Sequence, residues 1–199
     1  MSGWVASIPN YLSYSRLVFT FAILYLLTNP AILDRYIAFA LFLIAAVTDF
    51  FDGFLARKYN VVSSKGKLLD PLTDKILVLA VLIMLIELDR VEMSVYTDQS
   101  YLPAWLVALI VIREIWVLGL RAIHALHDKA LGAISSAKWK TVLQMLAIAL
   151  LILGDFKVAS VSGVNITLYD IGFNILLISL IFGIISAVIY TVEVLKQVD

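Results

Sequence analysis

Six long apolar runs, joined by short polar connections, restrict the folds open to this 199-residue chain more than any other feature. A helix needs about 20 apolar residues to cross a bilayer, so six such helices would use about 120 residues. With a mean hydropathy of +0.99, the pattern predicts an all-α fold, an integral membrane bundle of six transmembrane helices that forms one domain over residues 1–199. The runs are Tyr11–Leu27, Ile37–Leu55, Leu68–Leu88, Leu102–Leu126, Val142–Leu153 and Ile171–Leu195.

The composition excludes several other classes of protein. Hydrophobic residues make up 62% of the chain, whereas a soluble domain has about 45–50%, and a disordered chain has far less apolar surface. The chain has no cysteine, so it forms neither a disulfide nor a thiolate metal site. Fifteen basic residues balance fifteen acidic ones, and we therefore expect no nucleic-acid partner.

The distribution of basic residues predicts the orientation in the membrane. If the N-terminus is cytoplasmic, twelve Lys and Arg residues lie on the cytoplasmic side and three lie on the other side. Cytoplasmic connections carry the excess of Lys and Arg in membrane proteins, so we expect both termini in the cytoplasm. The twelve are Arg16, Arg57, Lys58, Lys65, Lys67, Lys75, Arg113, Arg121, Lys129, Lys138, Lys140 and Lys196, and the three are Arg35, Arg90 and Lys157.

Four aspartates lie where the second and third apolar runs meet. Asp49 and Asp52 are three residues apart, and Asp70 and Asp74 are four apart, so each pair shares one face of a helix. The residues between the pairs predict a turn, which would bring the pairs together; they include Gly53, Asn60, Ser63, Ser64 and Gly66. One carboxylate at mid-membrane costs about 2.5–3.5 kcal/mol. Four carboxylates at this place predict a water-filled cavity that binds a cation.

The ligand chemistry of such a site favours a hard divalent ion. Oxygen ligands alone suit Mg²⁺, Mn²⁺ or Ca²⁺ better than zinc, and two ions could clamp the oxygens of a displacement reaction. Two other interpretations are open. The aspartates could lie at the membrane interface and pair with Arg57, Lys67 and Lys75, or they could be cation or proton sites of a small transporter. Transport sites usually lie near the midplane, whereas these aspartates gather at one end.

The pattern Asp49-x2-Asp52-Gly53-x2-Ala56-Arg57-x8-Gly66-x3-Asp70-x3-Asp74 resembles the signature of the CDP-alcohol phosphotransferase family at every fixed position. The resemblance implies an integral membrane enzyme that transfers a phosphatidyl or similar group from a CDP-linked donor to an alcohol and releases CMP. It implies that the four aspartates hold two ions, Mg²⁺ or Mn²⁺, and that Asp74 is also the catalytic base. The positions that it implies for binding the CDP donor are Asn10, Ser13, Gly53, Ala56, Arg57, Ser63 and Gly66.

A second group of charges, in the fourth and fifth apolar runs, predicts the acceptor. Arg113 and Arg121 are eight residues apart in an otherwise apolar run, and Lys138 and Lys140 precede the fifth run. Intramembrane charges usually mark function, so these four cations predict a site for an acceptor phosphate. Positive-inside anchoring is the alternative for Lys129, Lys138 and Arg113. Glu114 is a candidate structural partner for one of the arginines.

Further motifs resemble the phosphatidylglycerophosphate synthase branch of the same family. They are Ile8-Pro9-Asn10-Tyr11-Leu12-Ser13 with Arg16, Arg113-Glu114-Ile115, Arg121, and Lys138-x-Lys140-Thr141-x2-Gln144; Ser13 stands where the branch often has Thr. The branch implies CDP-diacylglycerol as donor, sn-glycerol 3-phosphate as acceptor, a homodimer and an active site at the cytoplasmic face of the cell (inner) membrane. Inositol phosphate as acceptor, or an archaeal CDP-ether lipid as donor, stays open.

Overall fold

The structure is a computed structural model that describes residues 3–29, 31–59, 64–95, 102–126, 135–154, 156–161 and 164–198. The described residues form six helices and one two-stranded hairpin, in two compact units, Met1–Tyr101 and Leu102–Asp199. The elements are α1 (Gly3–Leu27), α2 (Ile32–Tyr59), α3 (Ser64–Val95), α4 (Ala104–Leu126), α5 (Ser135–Leu153), β1 (Lys157–Val161), β2 (Val164–Thr167) and α6 (Leu168–Val198). The prediction of a mostly helical fold with six helices is confirmed.

In the N-terminal unit, α1 packs against both α2 and α3. The buried side chains are mostly aliphatic and recur three or four residues apart on α3, as expected for a helix that packs along one face. Two charged side chains are buried among the described residues of this unit, Arg16 of α1 at 1% exposed and Arg35 of α2 at 9% exposed. The buried apolar residues are Ile23, Leu27, Ala38, Phe42, Ala45, Leu77, Val78, Val81, Leu82, Leu85 and Leu88.

In the C-terminal unit, α6 packs against both α4 and α5. A Cβ atom built on Gly172, near the start of α6, would lie 3.0 Å from Leu150, near the end of α5. One built on Gly183 would lie 3.7 Å from Lys140, near the start of α5. These two close approaches show that α5 and α6 run antiparallel.

The connection between α5 and α6 is a structured hairpin. Gly154 ends α5 with φ at 64°, a left-handed conformation that glycine adopts without a Cβ clash. Strands β1 and β2 then pair antiparallel, with a register shift between Lys157 and Ala159. Thr167 and Asp170 cap α6, since the Asp170 carboxylate accepts from the Thr167 backbone N–H at 2.9 Å and the Thr167 hydroxyl accepts from the Asp170 N–H at 3.2 Å.

The helices extend beyond the apolar runs that predict them. Gly53 lies inside α2, and Ser64 and Gly66 belong to α3, so the prediction that these three residues form the turn is wrong. Asn60 and Ser63, also named for the turn, lie outside the described residues. Only residues 60–63 separate the two helices. The physical reason is that a helix is held by backbone hydrogen bonds, which continue through polar residues where the apolar run has ended.

One described helix is long and apolar enough by itself to cross a membrane, namely α6 over Leu168–Lys196. By the same criteria the other described segments fall short. In α4 the apolar run is interrupted by Arg113, Glu114 and Arg121.

Candidate functional site

The four aspartates of the motif lie on two helices that are consecutive in the chain. Asp49 and Asp52 are in α2, and Asp70 and Asp74 are in α3. Asp49 lies ten residues before the end of α2, and Asp74 lies ten residues after the start of α3. At a rise of 1.5 Å per residue, each is about 15 Å along its helix from the connection. The backbone therefore places the two pairs at matching distances from the same connection.

The donor set at these positions suits a divalent cation, because four carboxylates supply hard oxygen ligands and enough negative charge for two ions. The side chains of the four aspartates lie outside the described residues. Among the side chains that the structure does describe, no three His, Cys, Asp or Glu residues group as metal ligands. The fit of a metal thus depends on the residue types and their helical spacing.

Arg16 brings a buried positive charge to the segment that precedes Asp74. Its guanidinium Nη1 donates to the Thr73 hydroxyl at 3.3 Å, and both residues are at most 2% exposed. Thr20, one turn further along α1, donates its hydroxyl to the Arg16 carbonyl at 2.8 Å. The contact between Arg16 and Thr73 joins α1 to α3 beside the metal-ligand candidate.

The residues expected to bind the CDP donor are distributed over three helices. Asn10 and Ser13 are in α1, Gly53, Ala56 and Arg57 are in α2, and Gly66 is in α3. The side chains at these positions lie outside the described residues, and Ser63 lies outside them altogether. Their role in nucleotide binding stays a prediction.

Two of the four cations predicted for the acceptor phosphate are joined by one buried acid. Glu114 Oε1 accepts from Arg113 Nη1 at 2.9 Å and also from Lys140 Nζ. Glu114 is 1% exposed, Lys140 is 4% exposed and Arg113 is 9% exposed. This buried triad, Arg113–Glu114–Lys140, contains two positive charges and one negative charge. The prediction that Glu114 pairs with an arginine is confirmed.

Helix α6 also binds the guanidinium of Arg113. Arg113 Nε donates to the Gly183 carbonyl at 2.9 Å, and Nη2 donates to the Ser186 hydroxyl. A Cβ atom on Gly183 would lie 3.4 Å from Arg113 Nε, at the edge of ordinary van der Waals contact. Helix α6 therefore packs closely against the buried arginine at this position.

Arg121 lies further along α4 and also contacts α6. Its Nη2 donates to the Tyr190 hydroxyl at 2.8 Å, and its guanidinium carbon is 5.1 Å from the centre of the Tyr190 ring. Tyr190 is fully buried, whereas Arg121 and Lys138 are exposed. The structure thus joins Arg113 to Lys140 in the buried triad, whereas Arg121 contacts Tyr190 and Lys138 lies on the surface.

Three residues of α6 that hold the arginines were not predicted from the sequence as site residues. They are Gly183, Ser186 and Tyr190, each of which binds a guanidinium group. The repeat of small residues Ser179, Gly183 and Ala187 was a usable signal, because it marks a helix face that allows close approach. Neither Ser186 nor Tyr190 differs in type from ordinary residues of an apolar helix.

Comparison with known proteins agrees with the motif. The sequence profile described as CDP-alcohol phosphatidyltransferase matches residues 6–190. Several relatives bear the name CDP-diacylglycerol–glycerol-3-phosphate 3-phosphatidyltransferase, among them the following three. The protein of Rickettsia bellii (strain RML369-C) is 38% identical over 185 residues, which cover 92% of this chain and 93% of the relative. That of Rickettsia typhi (strain ATCC VR-144 / Wilmington) is 42% identical over 149 residues, with 75% and 78% covered. That of Bacillus subtilis (strain 168) is 41% identical over 122 residues, with 61% and 58% covered. The chain therefore belongs to the CDP-alcohol phosphatidyltransferase family.

Proposed function

We propose that the protein transfers the phosphatidyl group of CDP-diacylglycerol to sn-glycerol 3-phosphate, which yields phosphatidylglycerophosphate and CMP. The names of the relatives support both substrates, and the first of those relatives aligns over 92% of this chain. The family supports the reaction class and the use of a divalent ion.

The buried triad is the observation on which the choice of acceptor depends. Arg113 and Lys140 are both at least nine-tenths buried, and one carboxylate, Glu114, contacts both. The triad has one more positive than negative charge, and a low-dielectric interior strengthens its attraction for an anion. A phosphate is such an anion, and guanidinium N–H groups match phosphate oxygens well. An acceptor that carries a phosphate therefore fits this cluster better than serine or free inositol.

The aspartates of α2 and α3 would hold two divalent ions, Mg²⁺ or Mn²⁺. Asp49, Asp52, Asp70 and Asp74 supply oxygen ligands from two helical pairs. When bound, such ions neutralise the diphosphate and favour departure of CMP.

In the proposed transfer, a primary hydroxyl oxygen of the acceptor forms a bond to the phosphatidyl phosphorus. The bond from that phosphorus to the bridging oxygen breaks, and CMP leaves with the electron pair. Asp74 accepts the hydroxyl proton, while Arg113, Arg121, Lys138 and Lys140 hold the acceptor phosphate. Asn10, Ser13, Gly53, Ala56, Arg57, Ser63 and Gly66 bind the CDP donor.

We place the protein in the cell membrane as a six-helix bundle with cytoplasmic termini and active site, and as a homodimer. Many large apolar side chains are exposed on its described helices, including Phe21 at 70% and Tyr25 at 71% on α1 and Ile181 at 58% on α6. Apolar surface of this extent calls for a partner such as lipid. The excess of Lys and Arg on one side supports the orientation.

The proposal is tested by CMP release from CDP-diacylglycerol in detergent micelles with Mg²⁺ or Mn²⁺. Glycerol 3-phosphate, inositol phosphate, serine and inositol are compared as acceptors at equal concentration. We expect release with glycerol 3-phosphate to exceed release with the other three. Release only with inositol phosphate would move the protein to that branch of the family, and no release with any acceptor would reject the enzyme assignment.

A further inference from the structure

Gln144 is a buried polar residue that the mechanism above does not use. It is 2% exposed, and its side-chain nitrogen has no hydrogen-bond partner among the described residues. Buried amides are nearly always hydrogen-bonded in folded proteins, because burial without a partner costs stability. A residue that keeps this cost in the free protein is a candidate for binding a ligand.

The position of Gln144 on α5 places it next to the buried triad. It follows Lys140 by four residues, so the two lie one turn apart on the same face of the helix. Side chains of α-helices lean towards the N-terminus, and the amide of Gln144 therefore reaches towards the turn of Lys140. Lys140 in turn contacts Glu114, which contacts Arg113.

The acceptor has one group that still needs a partner. Glycerol 3-phosphate consists of a phosphate, a primary hydroxyl that reacts and a secondary hydroxyl that does not. The cations bind the phosphate in the proposed function, and the base takes the proton of the primary hydroxyl. A carboxamide N–H donates well to a neutral hydroxyl oxygen.

We propose that the side-chain amide of Gln144 donates a hydrogen bond to the secondary hydroxyl of the acceptor and so selects a polyol phosphate. The inference rests on the proposed function and adds a specificity-determining residue to it. This hydrogen bond joins two neutral groups. Removing either the Gln144 amide or the secondary hydroxyl of the acceptor therefore raises the KM for the acceptor roughly tenfold.

The test compares Gln144→Met with the unchanged protein, using two acceptors. The acceptors are sn-glycerol 3-phosphate and 3-hydroxypropyl phosphate, which lacks only the secondary hydroxyl. In the unchanged protein we expect the KM for 3-hydroxypropyl phosphate to be roughly tenfold higher than for glycerol 3-phosphate. In Gln144→Met the KM for glycerol 3-phosphate rises to that value, while the KM for 3-hydroxypropyl phosphate does not change.

Thermal unfolding separates a binding role from a structural one. Replacing an unpartnered buried amide by an apolar side chain of similar shape leaves stability unchanged or higher, so Gln144→Met should unfold at the same temperature or above it. The matched control is Ser179→Ala in α6, which removes a buried hydroxyl that donates to the Leu176 carbonyl at 2.7 Å. This control should lower the unfolding temperature slightly and leave both KM values unchanged.

Four results would overturn the inference. An equal rise in KM for both acceptors would mean that Gln144 binds the phosphate or acts through the fold. A lower unfolding temperature with unchanged KM, or loss of folded protein, would mean that the amide only stabilises the bundle. Absence of CMP release by the unchanged protein with either acceptor would instead remove the proposed function, and this inference with it.

Discussion

Glu114 is the residue on which the buried charges of the C-terminal unit depend. It is the only acidic residue of α4, and its carboxylate contacts both Arg113 and Lys140. Removing one partner of a buried ion pair leaves an uncompensated charge, which is far more costly than losing an exposed pair. A change of charge at this position therefore affects the whole unit.

We predict that Glu114→Gln lowers the free energy of unfolding by about 3 kcal/mol, because two buried cations then share a neutral amide. The change is measurable as a lower midpoint of unfolding in detergent. The matched control is Glu193→Gln in α6, a half-buried position at which we expect a change within about 0.5 kcal/mol. Equal stability of the two variants would show that the triad contributes nothing to folding.

At the metal-ligand candidates, Asp74 is expected to act both as ligand and as base. Asp74→Asn should reduce CMP release by about 10²–10⁴-fold, the usual contribution of a general base, whereas binding of the CDP donor largely survives. Asp34→Asn, in the first turn of α2, is the matched control and should retain full activity. Near-normal turnover in Asp74→Asn would refute the assignment of the base.

At the scale of elements, close packing of α5 against α6 fixes the frame that holds the triad. A Cβ atom on Gly172 would lie 3.0 Å from both the Ala147 carbonyl oxygen and Leu150 Cβ. Neither of these atoms is the far end of a flexible side chain, so the helices themselves would have to move apart. An added methyl group at Gly172 would therefore push α5 and α6 apart near the β1–β2 hairpin.

We expect Gly172→Ala to destabilise the protein by about 1–3 kcal/mol through overpacking. Gly119→Ala in α4 makes the same change of residue at a position where no atom lies within 4 Å. It should leave stability unchanged or raise it by up to about 1 kcal/mol, because alanine favours a helix over glycine. Thermal unfolding of both variants decides the point, and a stable Gly172→Ala would contradict the close approach of α5 and α6.

The six helices could be predicted from the sequence, but the residues at which they end and the β1–β2 hairpin could not. The apolar runs found all six helices, whereas Gly53 and Gly66 were expected in a turn and lie inside helices. Strands β1 and β2 have five and four residues, too few for an alternating pattern to stand out. Their pairing depends on contacts between the strands, which a local pattern does not contain.

The same limit applies to the candidate site. The pairing of Glu114 with an arginine could be predicted because α4 offers no other acid. The contacts of Gly183, Ser186 and Tyr190 with the arginines could not, since they arise only when α6 packs against α4. The four aspartates could be placed on two helices by spacing alone, and their chemistry stays a prediction.

At the scale of the whole molecule, the account requires one face of the membrane to hold most of the positive charge. Because the chain has no cysteine, single cysteines can be introduced without removing any. We predict that Asp98→Cys reacts with a membrane-impermeant thiol reagent only from outside intact cells, and that Lys196→Cys reacts only after the membrane is opened. Reaction of both from the same side would refute the orientation.

In the proposed reaction, one enzyme joins glycerol 3-phosphate to the phosphatidyl group as CMP leaves. The most direct measurement follows labelled glycerol 3-phosphate into lipid in CDP-diacylglycerol vesicles, with CMP measured in the same sample. We expect one labelled lipid molecule for each CMP, in a reaction that stops when the divalent ions are chelated. Release of CMP without label in the lipid would contradict it, because the protein would then be a hydrolase.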